Sequence, residues 1–140
     1  MVNTDFKNIK PLTSNFELIN LCNKYNVPLD AVIYKDQLKD YDEKTCKSFI
    51  LDLHDSTDTT AGHWTGLYKN KDSEWVYFDP FGIIYPLAIK RFCKKNIEWN
   101  NEQIQSYYTG FCGYYCFLFL FYMSRGYDLK YIQDQFSQFE

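Results

Sequence analysis

The run Gly110-Phe111-Cys112-Gly113-Tyr114-Tyr115-Cys116-Phe117-Leu118-Phe119-Leu120-Phe121-Tyr122-Met123 decides the fold. From Phe111 to Met123 it is an unbroken apolar stretch of about 13 residues, whereas a membrane-spanning helix needs about 20. It therefore predicts a helix buried inside a protein core. Tyr108-Thr109-Gly110 precedes it with turn chemistry and Gly126 ends it, which puts Cys112 at the helix N-terminus. There the positive end of the helix macrodipole favours a thiolate over a thiol, as a nucleophile requires.

On the N-terminal side of this helix the pattern changes from helical to extended. Thr13 and Ser14 open a helix carrying Phe16, Leu18, Ile19, Leu21 and Cys22, stopped by Asn26 and Pro28. Leu29 to Tyr34 is rich in branched residues and predicts an extended segment or edge strand. In Lys47 to His54, Phe49, Leu51 and Leu53 alternate with Ile50, Asp52 and His54, which predicts a strand. Ser56 to Gly62 is a small, polar loop leading into a second strand, His63 to Tyr68. Turn residues at Asn70 to Ser73 join it to a third, Glu74 to Phe78, as an antiparallel hairpin. Pro80 cannot donate to a ladder, so Asp79 should stand at the strand exit. Pro86 to Lys95 reads as a helix, Ile97 to Trp99 as a short strand, and Asp128 to Phe139 as a last helix. Together these make an α+β domain: a small mixed sheet of about four to five strands with flanking helices.

The 140 residues, 1–140, suffice for a single domain. Aromatic residues are 20% of the chain, with 13 Tyr and 12 Phe, so large side chains must do much of the packing. The net charge of -3 argues against DNA binding, which normally shows as a basic excess. The small basic group Lys90, Arg91, Lys94 and Lys95 reads as a solvated helix face. Five cysteines, Cys22, Cys46, Cys93, Cys112 and Cys116, lack the spacing of a disulfide framework, and Met1 to Lys10 lacks a signal-peptide core. Both point to free thiols in a reducing compartment, cytosol or nucleus, with no membrane partner.

A nucleophilic thiol needs a base, and the chain has two histidines, His54 and His63. His63 is the better placed, opening a strand whose hairpin partner ends at Asp79. If the strands pair about Lys71, residues 63 and 79 lie opposite each other, within reach for a carboxylate to hold the imidazole tautomer. Gln105, seven residues before Cys112, carries a neutral amide donor of the kind that stabilises an oxyanion beside the backbone amide of the nucleophile. Gln103 competes for that role. Trp64 follows the base and either shields it from water in a substrate cleft or packs as a core aromatic. Cys116 lies one helical turn beyond Cys112, but zinc would need His63 and a fourth ligand that is not evident. No metal and no other cofactor is expected, and Cys116 reads as a small buried hydrophobe.

In order along the chain, GHW around His63, YFDPFG around Asp79, Gln105, and CGYYC at Cys112 resemble the adenovirus-type maturation cysteine proteases (adenain-like). The resemblance covers about residues 60–122. These enzymes belong to the same clan as the ubiquitin-like-protein proteases and have a papain-like core in circularly permuted order. The resemblance implies Cys112 as nucleophile, His63 as general base and acid, Asp79 as its orienter, and Gln105 with the Cys112 amide as oxyanion hole. Asp79 stands where the adenoviral enzymes carry glutamate, and aspartate is used there elsewhere in the clan. Cys93 precedes Cys112 by about the interval of the cysteine that bonds their activating peptide.

What the resemblance implies for function is a viral thiol protease, a hydrolase that cleaves capsid or core precursor proteins during virion maturation, beside small residues such as glycine. It would work in host cytoplasm or nucleus where virus assembles and be packaged in the virion. The short chain suggests a virophage or a polinton-like double-stranded DNA virus. Two other readings remain open: a protease or acyltransferase acting on ubiquitin-like modifiers, and a catalytically idle binding module.

Overall fold

The computed structural model describes residues 14–54, 63–103 and 111–137. The first helix, α1 (Asn15–Lys24), begins where Ser14 accepts the Glu17 N–H and Glu17 accepts the Ser14 N–H in return, a reciprocal capping box. Thr13, the other expected capping residue, lies outside the described residues. Leu18 and Cys22, four apart, form the buried stripe of α1.

Five strands follow: β1 (Ala31–Tyr34), β2 (Ser48–Asp52), β3 (Trp64–Lys69), β4 (Trp75–Phe78) and β5 (Glu98–Trp99). They form one sheet in the order β1-β2-β3-β4-β5, with β1 parallel to β2, β4 parallel to β5, and antiparallel pairs between. Each parallel pair needs a crossover. A 3-10 helix (Lys35–Asp40) lies in the first and α2 (Leu87–Cys93) in the second. The 3-10 helix has no counterpart in the sequence reading, because Lys35-Asp36-Gln37-Leu38-Lys39-Asp40 is too short and polar to show a helical period. Its single buried residue, Leu38, anchors it.

The two crossover elements cover one face of the sheet. There Leu38, Ile89 and Phe92 meet Phe49, Leu51, Leu67, Trp75 and Tyr77. The other face, with Ile50, Tyr68, Val76 and Phe78, meets α3 (Cys112–Ser124), α1 and α4 (Leu129–Phe136). The alternation read in β2 thus separates two cores, and all five residues of β2 are buried. The chain is an α+β fold with a mixed open sheet and flanking helices.

Every residue of α3 from Gly113 to Met123 is buried, as an all-apolar helix demands. It is the central helix, and it crosses β3 at Gly66. A Cβ on Gly66 would stand 2.6 Å from the Phe119 ring, so only glycine admits this approach. Phe119 in turn stacks on Phe78 with centroids 5.1 Å apart. Gly126, at φ +93, releases the chain from α3, and Asp128 caps α4 by accepting the Tyr131 N–H. No helix among the described residues is long and apolar enough to cross a membrane.

The hairpin register differs from the expected one. The ladder pairs Gly66 with Phe78 and Lys69 with Trp75, so its continuation sets Thr65 across from Asp79. The cause is the turn. Ser73 takes a left-handed conformation, φ +62, and Asn70 binds Glu74, so three residues, Lys71 to Ser73, make the loop. The centre of the hairpin therefore falls on Asp72, not Lys71.

Candidate active site

The turn after β4 builds the acidic half of the site. Asp79 ends the strand, Pro80 blocks further pairing, and the Gly82 N–H closes a turn onto the Asp79 carbonyl at 2.8 Å. Gly82 is irreplaceable here for two reasons. Its φ is +72, and a Cβ would lie 2.6 Å from the Glu102 carbonyl carbon and 2.7 Å from the Gln103 nitrogen. The Asp79 turn is thereby pressed against the backbone at Glu102 and Gln103.

Asp79 is fully buried. Its Oδ1 accepts the Phe81 N–H at 2.8 Å and lies 2.6 Å from His63 Nε2. Its Oδ2 is buried and has no hydrogen-bond partner among the described residues, so much of the carboxylate's compensation falls to the imidazole.

His63 precedes β3 and reaches Asp79 on the diagonal of the hairpin. Its side chain is only 18% exposed. Phe81 lies flat against it, with ring centroids 4.1 Å apart and planes 5° from parallel. With Nε2 engaged by Asp79, Nδ1 is the ring nitrogen left to face the Cys112 thiol, which lies near enough to raise the imidazole's pKa. Burial opposes charging of the imidazole, but hydrogen bonds and charge from Asp79 and Cys112 outweigh it and raise the pKa from 6.5 to about 9.

Cys112 is the first residue of α3 and is partly exposed. The thiols of Cys22, Cys93 and Cys116 are buried instead. Burial pushes Cys22 and Cys93 up to about 12 and raises Cys116 well above the ordinary thiol range. Those three are therefore protonated and inert in the folded protein. Cys46 is the other partly exposed cysteine. Among the described residues, no group of three or more His, Cys, Asp and Glu side chains is placed to hold a metal ion.

The structure thus brings together His63, Asp79 and Cys112. Gln105 lies outside the described residues, and Gln103 is an exposed residue beside the Gly82 turn. Trp64, across from Asp52, is half-buried and packs against the core on the α3 side of the sheet. His54 lies at the end of β2, its backbone N–H on Asp52 Oδ1 at 2.9 Å.

Two contributors were missed in the sequence. Phe81 was read only within the YFDPFG motif, yet its ring lies flat against the imidazole. Asn100 was not singled out at all. It is fully buried, and its carboxamide brackets Asp79: Oδ1 accepts the Asp79 N–H at 2.8 Å, while Nδ2 donates to the Asp79 carbonyl at 2.6 Å. The same Nδ2 donates to the Glu102 carbonyl at 3.2 Å. One side chain therefore ties the aspartate to the segment leading towards Gln105. The available signal was its place just after β5, where a side-chain amide can continue the strand's pairing with β4.

No protein-family model and no curated protein matches this sequence.

The arrangement has the parts of an activated thiol: a partly exposed sulfur at a helix N-terminus, an imidazole beside it whose pKa the sulfur helps to raise, and a buried carboxylate on the imidazole's Nε2. Such a chain can move a proton from sulfur to Nδ1 while the carboxylate stabilises the imidazolium.

Proposed function

We propose that this chain is a cysteine endopeptidase of the adenovirus maturation type, with a permuted papain-like core. One observation carries the reading: His63 sits between Asp79, at 2.6 Å, and the thiol of Cys112 at the head of α3. The motifs around the same three residues, GHW, YFDPFG and CGYYC, support it.

In the proposed reaction the Cys112 sulfur attacks a peptide carbonyl while His63 holds the thiol's proton on Nδ1. The tetrahedral oxyanion is met by the Cys112 backbone amide and the Gln105 side chain. His63 passes its proton to the departing amine as the carbon–nitrogen bond breaks, leaving a thioester on Cys112. A water, deprotonated by His63, hydrolyses the thioester and restores the thiol. Asp79 keeps Nε2 protonated and the ring in plane throughout, with Phe81 as a flat backing. The substrates in this reading are capsid or core precursors of a double-stranded DNA virus, cut beside glycine during assembly.

The test is incubation of the full chain with a glycine-containing peptide library, the products mapped by mass. Cuts made by the wild type and abolished in Cys112→Ala support the reading; no cut, or the same cuts in Cys112→Ala, refutes it.

A further inference from the structure

We propose that the cleft between the 3-10 helix and α2, with the aliphatic residues beside it, docks an acidic, aliphatic segment of a polypeptide substrate. This deepens the endopeptidase reading and rests on it for the word substrate. The cleft is a cavity of about 330 Å³. Lys35 and Lys39 reach it from the 3-10 helix and Arg91 from α2, over a floor of Leu38, Ala88 and Phe92.

Three observations select the occupant. First, these cations gather on one side of a chain whose net charge is -3, and Lys39 and Arg91 form no ion pair among the described residues. Opposite charge on a partner is what such a surface favours. Second, Ile83, Ile84 and Leu87 are each more than half exposed, and Leu87 lies one helical turn from Arg91. Aliphatic surface beside Lys39 and Arg91 matches a partner that alternates acidic and aliphatic side chains. Third, Ile83 directly follows Gly82, so the patch continues from the turn that carries Asp79.

A lipid surface also offers negative charge and hydrocarbon, but it fits less well. The cationic sites line a recess beside Asp36, which admits individual acidic side chains towards Lys39 and Arg91 but not a flat array of headgroups.

The probe is a short fluorescent peptide alternating Asp or Glu with Leu or Ile, its anisotropy read with Cys112→Ala protein so that it stays intact. A matched peptide with Lys in place of the acids, and vesicles containing phosphatidylserine, are the comparisons. We expect salt-sensitive binding of the acidic peptide, weakened about tenfold or more by Lys39→Glu with Arg91→Glu. These exposed changes leave the cores intact, and circular dichroism checks the fold. Fusing the acidic segment to a glycine-containing substrate should lower KM about tenfold in wild type, and not in that double variant. Equal binding of the lysine peptide, undiminished binding by the charge-reversed protein, or binding of vesicles without the acidic peptide would each overturn the proposal. Binding that persists while wild type cuts neither substrate would sustain the docking surface and refute the endopeptidase reading.

Discussion

Asp79→Asn tests the electrostatic heart of the site, because it removes a charge and little else. In the wild type the His63 imidazole is held at a pKa of about 9 against 6.5 when free of the fold. The imidazolium is thus preferred by the native state, by about 3 kcal/mol on linkage. That contribution is fully present below pH 6.5, where folded and unfolded chains both carry the proton. It declines above 6.5, where only the native chain stays protonated, and is gone above about 9. With Asn at position 79 the hydrogen bond loses its charge, and burial, which lowers the pKa, meets less opposition. The His63 pKa should fall by about two units, and most of the extra loss of stability between pH 6.5 and about 9 should disappear.

Two measurements read this. Imidazole proton resonances followed by NMR give the pKa directly, and with two histidines in the chain His54→Gln assigns them. Urea unfolding at a series of pH values gives the stability difference, in which other titrating groups cancel between variant and wild type. Because His63 is coupled to Cys112, the value observed belongs to the pair, and repetition in Cys112→Ala separates the two. A wild-type His63 that titrates at or below its free value, or one that Asp79→Asn leaves unmoved, would refute the reasoning.

Gly66→Ala should destabilise the fold by about 1–3 kcal/mol in urea unfolding, since the new methyl must displace the Phe119 ring; an unchanged midpoint would mean that α3 can move off β3. Asn100→Ala adds no charge and loses the carboxamide's bonds to Asp79 and Glu102. It should cut kcat more than KM, and a lowered His63 pKa in the same variant would separate a positioning role from simple loss of stability. Gln105→Ala should slow turnover about a hundredfold or more without unfolding the protein, if that amide serves the oxyanion; near wild-type turnover would move the role to Gln103 or to backbone alone.

The elements were legible where burial imposes a period. The β2 alternation separates two cores because Phe49 and Leu51 face α2 while Ile50 faces α3. The length and uniform apolarity of Phe111 to Met123 likewise required an enclosed helix. The His63 and Asp79 pairing was legible although the register was not, since the diagonal of a hairpin is still within side-chain reach. What hid the register was Ser73, because a left-handed serine is not announced by its neighbours. The role of Asn100 was hidden for a different reason: it depends on β5 lying beside β4, a tertiary pairing of two residues each. Phe81 stacks on His63 only because the turn at Gly82 folds back on Glu102.

The central claim, that Cys112 is an activated nucleophile, is tested most directly by alkylation of the intact protein with iodoacetamide near neutral pH, followed site by site by mass spectrometry. Cys46 is the internal control, as the other partly exposed thiol. Cys112 should react at least about tenfold faster than Cys46, and His63→Ala should bring the two rates together. Equal rates in the wild type, or a fast Cys112 indifferent to His63, would contradict the account.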